Sequence, residues 1–263
     1  MLLAVDIGNT NIVAAIFDGD KIIHEWRIAT DTKRTGDEYI SILLTLSRDA
    51  NVQVKKFDKS IISSVVPELI GPFVTVLTHI CGKKPIVISP AIYSKLPVHL
   101  PESAVHEIGT DILSNAVAAW SRYKCANIVV DFGTALTFTA TDSNANIQGV
   151  AIAPGLGTAV HSLFANTAQL PSIPLEAPPS TLGTNTIQAI QAGIVLGYKG
   201  LVESLIARIK SDLYEKTGDK IEDTKVIATG GLNSVLKPIT DVFSVVDKSL
   251  TMCGIKYIAD CVE

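Results

Sequence analysis

Short blocks of β-branched and apolar residues begin almost at the first residue and are separated by polar turns. Leu2–Asp6, Ile12–Phe17 and Lys21–Ala29 read as three successive strands. Beyond them Tyr39, Ile40, Leu43, Leu44 and Leu46 recur at helical spacing, which predicts a helix capped by Asp37 and running to about Arg48. Ser60–Val65 predicts a fourth strand bounded by Pro67. Glu68–Ile80 predicts a second helix, whose start Gly71-Pro72 can move, and Pro85–Ile88 a fifth strand. Proline punctuates an irregular stretch from Pro90 to Pro101, and from Glu107 a turn flows into an alanine-rich helix that ends near Lys124.

The pattern then restarts. Ile128–Asp131, Thr137–Thr141 and Ile147–Ala153 repeat the three opening strands. Pro154-Gly155-Leu156-Gly157-Thr158 leads into a helix to about Asn166, and the proline-rich Pro171–Pro179 stretch predicts a linker or lid. A helix is expected from Thr186 to Leu213, broken near Gly193 or Gly197-Tyr198. Val226–Ala228 predicts a strand feeding Thr229-Gly230-Gly231. Val242–Val245 predicts another, and a helix runs from Thr251 to the end. In each copy the first strand ends in Asp, one apolar residue and Gly: Asp6-Ile7-Gly8-Asn9-Thr10, then Asp131-Phe132-Gly133-Thr134-Ala135. The distance from that Asp to the next polar turn is 12 residues in the first copy and 11 in the second. Duplication on this scale implies two related α/β lobes, residues 1–124 and 125–263, rather than an array of small repeats.

A strand that ends in Asp-x-Gly suits a nucleotide. Glycine lets the main chain approach an anion closely, and successive N–H groups in such a turn make a concave anion site. Asn9, Thr10 and Asn11 add side-chain donors. Asp6 and Asp131 repel phosphate directly, but they can hold a cation or its water shell against it, because hard cations take oxygen ligands. The alternative for either copy alone is a hairpin turn that uses Asp and Gly only for turn chemistry.

With 47% hydrophobic and 18% charged residues the chain has ample core, and a net charge of −4 gives no reason to expect nucleic acid. Cys81, Cys125, Cys253 and Cys261 lack metal-binding spacing and read as reduced thiols. No leader is expected before the first strand, no uninterrupted apolar run has bilayer length, and a cytoplasmic location with no membrane partner is the expectation.

Asp6-Ile7-Gly8-Asn9-Thr10-Asn11, Asp131-Phe132-Gly133-Thr134-Ala135 and Ala228-Thr229-Gly230-Gly231 resemble the acetate-kinase/sugar-kinase/heat-shock-70/actin superfamily. Within it the chain resembles the type III pantothenate kinases. Glu107-Ile108-Gly109-Thr110-Asp111 with Asn115-Ala116-Val117-Ala118-Ala119, Thr167-Ala168-Gln169-Leu170-Pro171, Asn185-Thr186 with Gly193 and Gly197-Tyr198, and Leu250-Thr251-Met252 with Gly254-Ile255 extend the match over nearly the whole length. The resemblance implies two ribonuclease-H-like lobes of duplicated actin-like topology with the nucleotide cleft between them, a homodimer, and phosphorylation of pantothenate by ATP with Mg2+. It implies that Asp6, Ile7, Gly8, Asn9, Thr10, Asn11, Ile12 and Val13 form the first phosphate element, and that Thr134 contacts ATP. Asp131 would hold a monovalent cation, K+ or NH4+. Gly109, Thr110, Asp111 and Ile112 would line the pantothenate pocket with Asp111 as general base, and Thr186 would complete it from the partner. Read without the resemblance, Asp111 is equally well a helix cap.

The acceptor side departs from the family pattern. Ile112 stands where the family carries arginine, Ser103-Ala104-Val105-His106 replaces a Tyr-Asn-Pro stretch, and Thr184 replaces a second arginine. Arginine would supply a fixed charge and several donors that isoleucine lacks. Three readings therefore stay open: pantothenate kinase with compensation by Tyr93, Lys95 or His106, a kinase for another small hydroxyl compound, and a non-catalytic regulatory relative.

Overall fold

The computed structural model describes residues 1–52, 57–165, 173–231 and 233–262. The Thr167–Pro171 motif, the expected helix end at Asn166 and the first two residues of the Pro171–Pro179 stretch lie outside the described residues. The chain forms two units, residues 1–121 with 249–263, and residues 122–248.

In the first unit β1 (Leu2–Ile7), β2 (Asn11–Asp18) and β3 (Lys21–Ala29) form an antiparallel meander. Helix α1 (Gly36–Asp49) follows, then β4 (Lys59–Ser64), α2 (Pro67–Cys81) and β5 (Ile86–Val87), and the sheet order is β3-β2-β1-β4-β5. Val5, Ile7, Ile12 and Ile16 meet Tyr39, Leu43, Leu69, Phe73 and Leu77 of the two helices in one buried cluster. Tyr39 and Phe73 lie with ring centroids 4.8 Å apart. The Tyr39 hydroxyl donates to the Asp31 carbonyl at 2.9 Å, which ties the β3–α1 loop to the core. Burial of a ring as complete as that of Phe73 contributes about 1.5–3 kcal/mol.

Thr35, not Asp37, caps α1. The Thr35 hydroxyl accepts from the Glu38 amide while the Glu38 carboxylate accepts from the Thr35 amide. A reciprocal Thr-x-x-Glu box satisfies two end groups at once, and Asp37 is left in the first turn, where its charge still favours the helix dipole.

The second unit repeats the plan. β6 (Asn127–Phe132), β7 (Ala135–Thr141) and β8 (Ile147–Pro154) form the meander, followed by α4 (Leu156–Ala165). Then α5 (Thr186–Gln191) passes through a π-helical turn, Ala192–Leu196, into α6 (Gly197–Thr217). The strand β9 (Lys225–Gly230), the short α7 (Asn233–Leu236) and β10 (Val245–Val246) complete it, in the order β10-β9-β6-β7-β8. Both sheets thus carry three antiparallel strands and then two parallel ones, the duplicated ribonuclease-H-like topology expected from the sequence. The last strand sits at Val245–Val246, displaced from the expected Val242–Val245.

The expected break between Thr186 and Leu213 is a π turn, not an interruption. Among the described residues, Thr186–Thr217 is one helical run long and apolar enough, by length and composition alone, to cross a membrane, although Gln188, Gln191, Lys199 and Glu203 interrupt it, so no uninterrupted apolar run of bilayer length results. Its Val195, Val202, Ile206 and Leu213 are buried against Ile128, Val130, Phe138 and Val226 of the second sheet.

Helix α8 (Leu250–Cys261) returns to the first unit and packs on β1 and β4, although sequence order had assigned it to the second half. Helix α3 (Thr110–Tyr123) receives it: Thr251 Oγ1 donates to Asn115 Oδ1 at 2.8 Å, and a β-carbon on Gly254 would collide with the Ser114 carbonyl oxygen. Close helix–helix approach at a glycine, together with one hydroxyl–amide bond, fixes this helix where a polar or bulky face could not pack.

Candidate active site

Both Asp-x-Gly turns protrude from their sheets on the ends of first strands. In the first unit the Gly8 amide donates to the Asn11 carbonyl at 3.0 Å, and Thr30 Oγ1 donates to the Gly8 carbonyl at 2.6 Å. Asn9, Thr10 and Asn11 are exposed. Ile7 and Ile12 are fully buried in the core cluster opposite one another in the β1–β2 ladder. Those two positions can offer a ligand main-chain atoms only. The side-chain chemistry of residues 6–13 therefore rests on Asp6 and the three amide and hydroxyl residues of the turn.

Asp6 does not stand alone. Ser63, its register partner on β4 and fully buried, donates from Oγ to Asp6 Oδ1 at 2.7 Å. The same Oγ lies 3.0 Å from Thr110 Oγ1, at the first residue of α3. Ser114 Oγ in turn donates to the Thr110 carbonyl at 2.7 Å. A hydrogen-bonded line thus joins the expected phosphate turn to the expected acceptor motif within one unit. Ser63 was not singled out from the sequence. A serine in a strand is an ordinary residue, and only the parallel register of β4 beside β1 places it next to Asp6.

Asp111 follows Thr110 in the first turn of α3, and its Oδ1 accepts from the Ile112 amide at 2.8 Å. Burial pushes the Asp111 carboxyl above the usual carboxylate range, opposed by hydrogen bonds from the Ile112 and Asp111 amides. A desolvated carboxylate with raised proton affinity, stabilised but not neutralised by a helix N-terminus, can orient a hydroxyl and take its proton. Because α3 begins at Thr110, Asp111 stands inside the first turn rather than at the cap position its sequence alone also allows, and its carboxylate accepts from first-turn amides. Ile112 is 9% exposed, so its side chain belongs to the buried face of α3. An arginine at that position would need a partner for its charge.

In the second unit Gly133 and Thr134 are exposed between β6 and β7. The Thr134 carbonyl accepts from the Gly155 amide at 3.0 Å and from Thr158 Oγ1 at 2.7 Å, so the loop before α4 clamps the turn. A β-carbon on Gly155 would strike the Gly133 and Thr134 carbonyls. Asp131 lies opposite Thr137 on β7 and Thr229 on β9. Thr229 is 1% exposed and its hydroxyl has no hydrogen-bond partner. Gly230 follows it at φ +85°, where a β-carbon would strike Phe132 and crowd the Asp131 carboxylate.

Thr186 is exposed at the start of α5. Asn185 caps that helix, accepting from the Gln188 amide at 3.0 Å, and Gln188 Oε1 accepts from the Thr184 amide at 3.2 Å and hydroxyl at 3.0 Å. Thr184, the second departure from the family pattern, is thus used to hold its own loop. An open depression of about 570 Å3 is lined here by residues that include Leu163, Thr184, Thr186, Ile190 and Ile194. The first unit therefore gathers Asp6, Thr110 and Asp111, and the second contains Asp131, Thr134 and Thr186.

Residues 2–208 match the family model described as type III pantothenate kinase. Proteins of that description from Citrifermentans bemidjiense and Moorella thermoacetica are each 38% identical over 258 residues, covering 98% of this chain and 98% of their own. Among solved structures, a Campylobacter jejuni protein described as a candidate Baf family transcriptional activator superposes with a TM-score of 0.58 at 19% identity, covering 98% of this chain and 97% of its own. The ethanolamine utilization protein EutJ from Carboxydothermus hydrogenoformans gives 0.53 at 11% identity, covering 97% and 89%. At those identities the two structures share the fold.

Proposed function

The chain belongs to the type III pantothenate kinase family, and we propose that it transfers the γ-phosphoryl group of ATP to a hydroxyl of pantothenate, the first step toward coenzyme A. The observation that carries this reading is the placement of Asp111. Its carboxyl is desolvated at the start of α3, one residue from Thr110, which hydrogen bonds join to Asp6 through Ser63. Phosphoryl transfer asks a protein chiefly for alignment and charge stabilisation. Asn9, Thr10 and Asn11 in the first unit, and Thr134 in the second, are proposed to contact phosphate oxygens. Asp111 orients the acceptor hydroxyl and accepts its proton as the new O–P bond forms, and the bond from γ-phosphorus to the β-bridging oxygen breaks to release ADP.

No group of three or more His, Cys, Asp or Glu side chains among the described residues could hold a metal unaided. A magnesium ion that arrives on ATP needs only one or two carboxylates besides phosphate and water, and Asp6 fits that need. When bound, the ion would neutralise phosphate charge. Asp131 is proposed to hold a monovalent cation, a role that suits the buried, unpartnered hydroxyl of Thr229 on the adjoining strand. Gly109–Ile112 are proposed to line the pantothenate site, with Ile112 through its main chain. Completion by Thr186 of a partner subunit in a homodimer, and a cytoplasmic location, belong to the same proposal. The other acceptors and the regulatory role left open by Ile112 and Thr184 are not better supported.

ADP formation by purified protein, with and without pantothenate and in potassium against sodium, tests the reading. Pantothenate-dependent, potassium-stimulated turnover is expected, and Asp6→Ala and Asp131→Ala should each weaken ATP binding by calorimetry. Turnover that ignores pantothenate would remove the acceptor assignment.

A further inference from the structure

We infer that Ser63 is a positioning residue that links the Asp6 carboxylate to the start of α3, so that nucleotide binding and acceptor binding influence each other. This rests on the kinase reading above and adds a residue and a linkage to it.

The argument is one of proton counting. Ser63 has a single hydroxyl proton, and Oγ donates it to Asp6 Oδ1 at 2.7 Å. An ionised carboxylate can only accept, so the direction of that bond is fixed. The contact of 3.0 Å between Ser63 Oγ and Thr110 Oγ1 must then run the other way, with Thr110 as the donor. The result is a one-way line: Thr110 hydroxyl to Ser63 hydroxyl to Asp6 carboxylate. Ser63 is fully buried and Thr110 8% exposed, so water does not compete at the Ser63 end. In such surroundings each hydroxyl polarises the next.

The line ends where the chemistry begins. Thr110 opens α3, its carbonyl is held by Ser114, and Asp111 is the next residue. A cation or its water shell that draws on the Asp6 carboxylate weakens its pull on Ser63. The orientation of the Thr110 hydroxyl would follow that pull through Ser63. Whatever the sign, Asp6 and the Thr110–Asp111 segment share one hydrogen-bond line, and ligands on the two ends must influence each other. By linkage the effect is reciprocal: nucleotide changes acceptor affinity by the factor by which acceptor changes nucleotide affinity. A serine retained only to satisfy a buried strand position would affect stability and leave that factor unchanged.

The test measures pantothenate affinity by calorimetry with and without a non-hydrolysable ATP analogue and magnesium, in wild type, Ser63→Ala and Thr110→Val, alongside kcat, KM and thermal midpoint. Thr110→Val keeps the Ser63–Asp6 bond and removes only the donor, so it serves if Ser63→Ala does not fold. In wild type the analogue should shift pantothenate affinity several-fold. In both variants that factor should fall to about one, with kcat down about tenfold or more in Ser63→Ala, the scale of a lost charge-assisted hydrogen bond, and down by less in Thr110→Val, which loses a neutral one. Folded variants that keep both the wild-type factor and kcat overturn the inference alone. Wild-type protein with no pantothenate-dependent turnover overturns the kinase reading, and the inference with it.

Discussion

The carboxylate of Asp111 folds back over the α-carbon of Gly109, into space that any side chain at 109 would occupy. A β-carbon on Gly109 would collide with Asp111 Oδ1 and come within 3.6 Å of Val65 Cγ1. Glycine is needed here for close approach of a functional group, not for an unusual backbone angle. Gly109→Ala should push the Asp111 carboxylate aside and leave the sheet and the phosphate turn in place. A misplacement on the order of 1 Å costs about a hundredfold in a reaction that depends on alignment. We expect kcat to fall on that scale with ATP affinity nearly unchanged, as steady-state kinetics and calorimetry will show. An unaltered kcat would mean that the carboxylate does not work from its present position.

The raised proton affinity of Asp111 makes two pH predictions of definite sign. Burial disfavours its ionised form in the folded protein, while in the unfolded chain it titrates near about 3.9. Its contribution to stability is therefore full below the unfolded value and is lost as pH rises through the higher folded value. Asp111→Asn removes that penalty, so at neutral pH the variant should melt above wild type while losing turnover. The base must be ionised to act, so kcat/KM of wild type should fall on the acid side with a midpoint above the ordinary aspartate range. A melting temperature below wild type at neutral pH, with full loss of turnover, would show that the carboxylate is a structural anchor of α3.

Strand order, the duplication and the two Asp-x-Gly turns were legible because they rest on local patterns. Asp6-Ile7-Gly8 and Asp131-Phe132-Gly133 follow β-branched runs, and short-range alternation reports strands well. The cap of α1 was also written locally, as Thr35-x-x-Glu38, but Asp37 offered a competing cap residue of the same chemistry. Three features were not legible, for a shared reason: each depends on residues far apart in sequence. Ser63 acquires meaning only through the register of β4 on β1. The place of α8 depends on its fit to α3 at Gly254 and Ser114. The burial of Ile112 depends on which face of α3 turns into the core of the first unit, whereas the family resemblance had placed that position in the pocket.

The last prediction concerns the second unit. β8 is an edge strand, and Val150 and Ile152 on it are 39% and 68% exposed; Leu182 and Ile187 flank Thr186 at 82% and 44%. Apolar side chains exposed at this density are typical of surfaces that a partner covers. Sedimentation at micromolar concentration should give about twice the 28.0 kDa mass of the chain, and Ile152→Lys with Leu182→Lys should give the monomer. If Thr186 serves the acceptor site of its partner, two inactive variants will complement each other. In a mixed dimer of Asp111→Asn and Thr186→Val, one site combines the intact Asp111 of one subunit with the intact Thr186 of the other. The second site contains both substitutions. Random exchange makes half of the dimers mixed, so turnover should recover to about a quarter of wild type. Dimers that exchange subunits without any recovery would place Thr186 at the site of its own chain or outside it.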